Sequence, residues 1–78
     1  MEFIVKLDTI NRVKEFVSIC GKYNNLDIDL QQKRYVVDAK SIMGVFSLDL
    51  SKNVKIHVNN DDTLNKFLDD IKDFIVEE

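Results

Sequence analysis

Proline and tryptophan are absent from these 78 residues, glycine occurs twice, and cysteine and histidine occur once each. Each shortage excludes something. Two glycines cannot build the glycine-rich loop that cradles a nucleotide phosphate. A single cysteine, Cys20, forms no internal disulfide, so so small a domain must hold through its core alone. An unpaired thiol also fits a reducing compartment, which points to the cytoplasm. One histidine beside one cysteine leaves no cluster with metal-ligand spacing and no nucleophile–base pair. Neither a metal nor another cofactor is therefore expected, and the chain does not read as an enzyme. No apolar run approaches the ~20 residues of a membrane helix, and Met1–Lys6 has no basic stretch leading into one, so no membrane anchor or secretory signal is expected.

What is present is an ordinary globular composition, 45% hydrophobic and 32% charged, in a length that supports one core. Residues 1–78 are read as one domain without linkers, repeats or low-complexity segments. The net charge of −3 is unevenly placed: residues 61–78 carry seven acids against Lys66 and Lys72. The acidic end reads as a solvated helix face. An acidic chain with no basic run and no aromatic ladder is a poor nucleic-acid binder, so direct nucleic-acid contact is not expected.

Apolar periodicity gives the elements. Phe3, Val5 and Leu7 alternate with Ile4 and Lys6, as in a half-buried strand. Asp8 or Thr9 can cap a helix whose stripe is Ile10, Val13, Val17 and Cys20 with Phe16 beside it, and Gly21 stands where a left-handed terminating residue is usual. Leu26, Ile28 and Leu30 alternate with Asp27 and Asp29. The polar link Gln31-Gln32-Lys33-Arg34 leads to Tyr35–Ala39, so a hairpin is predicted there. Ser41 occupies a cap position before the short apolar segment Ile42–Leu48, in which Gly44 suits close packing or a loose turn. Val54, Ile56 and Val58 alternate with Lys55 and His57. After the turn Asn59–Asp62, residues Leu64, Phe67, Leu68, Ile71, Phe74 and Ile75 form a helical stripe to the C-terminus. The order is βαββαβα, an α+β fold whose economical packing is a four-stranded sheet with helices on one face and water on the other.

One segment carries a resemblance to a known family. Lys40-Ser41-Ile42-Met43-Gly44-Val45-Phe46-Ser47-Leu48 is similar to the Lys-Ser-Ile-Met-Gly-Val-Met-Ser-Leu signature of HPr, the phosphocarrier of the bacterial sugar phosphotransferase system, at eight of nine positions. The similarity covers essentially the whole chain, strongly over residues 35–58 and weakly over the first thirty. It implies the open-faced β-sandwich with a four-stranded antiparallel sheet. The family's phosphocarrier motif is Gly-Ile-His-Ala-Arg-Pro-Ala, between the first strand and first helix. Here the corresponding stretch is Asp8-Thr9-Ile10-Asn11-Arg12-Val13-Lys14. Counting back from Gly21 places Thr9 at the histidine position, and aligning Arg12 with the motif's arginine places Ile10 there. With neither a histidine, the resemblance implies a regulatory variant without phosphocarrier activity, akin to the catabolite-repression paralogue of HPr. Arg12 is carried over as a partner-binding residue.

The family's second site implies more. In low-GC Gram-positive bacteria a serine in this signature is phosphorylated by a dedicated kinase, and the modified protein binds a transcriptional repressor. Ser41 matches that serine, so an HPr kinase and a transcriptional regulator are the implied partners. As a plain cap Ser41 would contribute ~1 kcal/mol, and as a phosphosite it would gain roughly −1.5 to −2 charge at a helix start. Ile42, Met43 and Phe46 cannot all face inward on so short a helix, and Met43 or Phe46 is expected to belong to a docking patch. His57, on the wet face, reads as a solvated residue near Asp27 or Asp29, and Cys20 as a small core hydrophobe. Two alternatives stand beside the regulatory module: an interaction domain using neither phosphorylation site, and a phosphocarrier using a non-standard residue. The sequence carries no signal of oligomeric state.

Overall fold

The computed structural model of the chain describes residues 1–59 and 61–76. Strands β1 (Glu2–Val5), β2 (Ile28–Gln32), β3 (Tyr35–Asp38) and β4 (Val54–Val58) form one antiparallel sheet in the order β1-β4-β2-β3. Helices α1 (Ile10–Gly21), α2 (Ile42–Phe46) and α3 (Leu64–Asp70) complete the expected βαββαβα order. The core is assembled from the inward positions of the strands, Val5, Ile28, Leu30, Val54, Ile56 and Val58, against Val13, Phe16 and Cys20 of α1 and Leu64 and Phe67 of α3. Alternate residues of the strands face water, which is why Lys55 and Asp29 cost nothing where they stand.

Capping fixes where the helices start. Thr9 has extended backbone, and its hydroxyl accepts the N–H of Arg12 at 3.1 Å. Ser41 does the same for α2, accepting the N–H of Gly44 at 3.3 Å. Each satisfies one of the orphan donors of a helix's first turn. For α3 the cap is supplied from outside: the Asp61 carboxylate accepts both the N–H and the hydroxyl of Thr63.

The structure corrects the sequence reading at five places. Ile10 lies at the head of α1 but is 62% exposed, so the buried stripe begins at Val13. Gly21 is the last residue of α1 and has no positive φ; the helix ends through right-handed Lys22, whose N–H bonds the carbonyl of Ile19, followed by Tyr23 onto Cys20. The hairpin link is two residues, Lys33 and Arg34, since pairing runs on through Gln32↔Tyr35, and Lys33 adopts φ 56°. Edge strand β3 does not bury a full inner face: Tyr35 and Val36 are exposed and Val37 is half-buried.

The last correction concerns the C-terminus. The stripe expected as one helix is broken after Asp70 into a 3₁₀ turn, Lys72–Phe74, and then extended chain. Ile75 bridges Val5, the Val76 N–H donates to the carbonyl of Ile4 at 2.8 Å, and the Lys6 N–H donates to that of Phe74 at 2.9 Å. This segment covers the outer edge of β1, which would otherwise present unpaired backbone groups to any passing strand. A helix continued through Phe74 would bury the same side chains and leave that edge open.

Candidate functional site

Two places hold the residues singled out above, the start of α1 and the short helix α2, and α1 packs against α2. At the first, Thr9 is exposed and its hydroxyl is engaged as a cap. Arg12 is drawn inward. Its guanidinium donates to the carbonyls of Lys6 (3.3 Å) and Asp73 (3.0 Å), its Nε lies 3.3 Å from the Asp8 carboxylate, and its plane sits 4.5 Å from the centre of the Phe74 ring. One side chain thus ties the end of β1, the head of α1 and the 3₁₀ turn together. Both carbonyl bonds come from one terminal nitrogen, Nη2, and Nε has no hydrogen-bond partner among the described residues. Arg12 is a clamp in this structure, a role that sequence reasoning missed because Asp73 lies 61 residues away.

At the second place, Asp38 builds the approach to α2. Its carboxylate accepts the N–H of Lys40 at 2.9 Å and its carbonyl that of Ser41 at 3.0 Å. Lys40 reaches back to donate to the carbonyl of Leu26 at 2.7 Å. Both roles are also new to the structure, although an Asp two residues before a polar residue is a recognisable turn signal. Ser41 is exposed, extended at φ −103° and ψ 107°, and its hydroxyl is bonded only through the weak 3.3 Å cap. Gly44 keeps that hydroxyl accessible: a Cβ there would stand 3.3 Å from Ser41 Oγ and 3.3 Å from Val37 Cβ.

Of the residues on α2, only Val45 is buried. Ile42 and Phe46 are 38% and 36% exposed and Met43 is 78% exposed. All three contribute to an apolar surface, with Met43 standing furthest out. Ile42 and Phe46 keep more than half their surface against the body of the protein. With five residues α2 offers little macrodipole, so any charge at Ser41 would rely on direct hydrogen bonds instead.

The remaining candidates lie elsewhere. His57 is half-buried in β4, with Nδ1 2.8 Å from a Glu2 carboxylate oxygen and Nε2 2.7 Å from Gln31 Oε1. It stands opposite Asp29 in register, yet its ring is held by Glu2 and Gln31, partners brought by β1 and β2 and invisible to local sequence. Cys20 is fully buried, and burial pushes its thiol up to about 12. Among the described residues no group of acidic, His or Cys side chains is gathered as a metal site, and no helix is long and apolar enough to cross a membrane.

A family model described as "PTS HPr component phosphorylation site" matches residues 11–77. Among solved structures, HPr-C-His from Thermoanaerobacter tengcongensis superposes with a TM-score of 0.75 at 25% identity, covering 94% of this chain and 88% of that one. The phosphocarrier protein HPr from Bacillus anthracis str. Ames superposes with a TM-score of 0.73 at 19% identity, over 97% of this chain and 96% of that one. No curated protein sequence matches. The matched span takes in α1 from Asn11 onward, the whole of α2 and everything that follows to residue 77.

Proposed function

Because the chain belongs to the HPr family of phosphocarrier proteins, we propose that it is a regulatory binding module of that family, without histidine phosphotransfer and switched by phosphorylation at Ser41. The observation that carries this reading is the chemistry at the head of α1. The side chains there are Thr9 and Ile10, the Thr9 hydroxyl caps the helix, and Arg12 is turned to the carbonyls of Lys6 and Asp73 through one terminal nitrogen. The one histidine of the sequence, His57, belongs to β4, where Glu2 and Gln31 take its two ring nitrogens. No imidazole therefore meets a helix N-terminus to share phosphate with its N–H groups.

The second part of the reading rests on α2. Ser41 is exposed, followed by the family's signature, and flanked by Met43, whose adaptable side chain suits a docking surface. Adding a phosphate would place new charge beside that surface, next to Asp38, and so change which partner fits. The partners are an HPr-type serine kinase and a transcriptional regulator, acting in the reducing cytoplasm that a single buried thiol suits. The protein works by being bound, and catalysis stays with its partners.

Two labelling reactions test this. The phosphotransferase system's first enzyme with phosphoenolpyruvate should leave the protein unlabelled, and an acid-labile phosphate on it would refute the loss of phosphotransfer. An HPr kinase with ATP should add one phosphate, absent in Ser41→Ala, by mass spectrometry. No phosphate under conditions that fully modify a genuine HPr would leave an unswitched interaction domain.

A further inference from the structure

The open face of the sheet is sorted by charge. Residues paired across antiparallel strands share a face, so the register lines up Glu2, His57, Asp29 and Asp38 in one row and Ile4, Lys55, Gln31 and Val36 in the next. The first row is acidic. Beyond the second, the β2–β3 turn contributes Lys33 and the loop before β4 contributes Lys52 and Asn53. There the surface dips into an open basin of about 390 Å³, floored by Ile4 and Gln31 and ringed by Lys33, Lys52, Lys55 and Asn53.

Three ammonium groups border this basin, and among the described residues no acidic side chain lines it. Among the described residues Lys33 and Lys52 make no ion pair, and Lys55 has a loose contact with Glu2 at 3.9 Å. Another acid, Asp49, borders the adjoining groove with Lys33 and Lys52. Its carboxylate accepts from the hydroxyl and N–H of Ser51, which, with the lesser pull of Lys52 and Lys33, hold it ionised below the ordinary range, so it faces these two lysines from the groove side and leaves the basin side to them. Gln32, also on the rim, has its amide bonded to the backbone of Asp49 and so fixes the loop beside the turn.

Lys33 is the second observation. At φ 56° it occupies the left-handed region, where glycine or asparagine would sit without strain. Stability alone favours one of those residues at this hairpin tip. A lysine there sacrifices stability while bringing a third positive charge to the basin, the pattern expected where strain serves a ligand.

We propose that this basin binds a small, free, polyphosphorylated anion, a compound carrying two or three phosphoryl groups. Three compact ammonium charges suit phosphate oxygens, which need no planar fork. The volume lies in the range of small-molecule sites, roughly 300–1,000 Å³. A nucleic acid or an anionic bilayer would have to lie across the neighbouring row of Glu2, Asp29 and Asp38 and be repelled by it. A compact anion meets only the basic end.

Tripolyphosphate, titrated at fixed ionic strength and followed by amide chemical shifts, tests the site. Saturable shifts are expected at residues 31–33 and 52–55, and Lys52→Gln and Lys55→Gln should each weaken binding about threefold to tenfold, the scale of one close charge pair in a high-dielectric setting. Lys33→Gly should weaken binding likewise while raising the melting temperature. Shifts that do not saturate, shifts as large at Lys14 on α1 and at Lys22 just after it, or affinity unmoved by all three substitutions would overturn the proposal. So would co-sedimentation with phosphatidylcholine vesicles carrying phosphatidylinositol bisphosphate in the absence of any response to tripolyphosphate.

Discussion

Three side chains of α2 should separate cleanly when each is changed in turn. Val45 is fully buried, so Val45→Ala removes two methyl groups at ~0.8 kcal/mol each and leaves a small void, for a loss of about 2 kcal/mol. Phe46 is 36% exposed, and Phe46→Gln should forfeit about two-thirds of a phenyl ring's burial, about 1.5 kcal/mol. Met43 is 78% exposed, and Met43→Gln, nearly matched in helix propensity, should cost below about 0.6 kcal/mol. At this chain length each kcal/mol moves the melting temperature by about 4–8 °C. Thermal unfolding followed by circular dichroism would therefore show Val45→Ala and Phe46→Gln clearly lowered and Met43→Gln within about 4 °C of the parent. Rates of Ser41 phosphorylation by the kinase supply the functional axis, on which Met43→Gln should be the most impaired relative to its stability. A loss of about 2 kcal/mol on changing Met43, comparable with gutting a core position, would refute the division of α2 into a docking residue and a core residue.

Two further expectations concern buried groups. Tyr23 is buried, donates its hydroxyl to the Asp70 carboxylate and packs edge-on against Phe67, and burial, followed by that bond and the nearby acids, pushes it up to about 12. Its folded value is above its unfolded one, so its contribution is complete below about pH 10 and is lost as pH climbs towards 12. Urea unfolding across that window should show stability falling, less steeply in Tyr23→Phe; an identical fall in both would count against the Tyr23–Asp70 bond as its source. Cys20, fully buried with its thiol raised to about 12, should stay unlabelled by a thiol-reactive disulfide reagent in the native protein and react at the rate of opening in denaturant. Prompt labelling without denaturant would show that α1 opens locally.

The positions of the strands and the starts of α1 and α2 were legible because they depend on near neighbours. Period-two alternation at Ile28–Leu30 and Val54–Val58, and the hydroxyls of Thr9 and Ser41 one residue before a helix, are local signals that no distant contact overrode. The α2 signature likewise marked Ser41 and Met43 before any packing was known. Ile10 misled because periodicity says which residues share a face and not how far along the helix that face is covered. The C-terminal stripe misled for a related reason: Ile71 and Phe74, three apart, are buried equally well by an α-helix or by a turn of 3₁₀ helix. What chose between them was the unpaired edge of β1, which offered Ile75 and Val76 backbone partners.

The sequence by itself determined the element order, the alternation that gives the sheet one dry face, the capping hydroxyls and the lack of an imidazole between the first strand and first helix. Tertiary structure alone decided the rest. It set Arg12 as a clamp between Lys6 and Asp73, suspended His57 between Glu2 and Gln31, and gathered Lys33, Lys52 and Lys55 around one basin. Each of those joins residues that strand order and register bring side by side, over separations at which a chain read residue by residue holds no preference. Local periodicity is fixed by the geometry of one helix or one strand. The neighbours of a side chain across a sheet are fixed only when every strand has found its place.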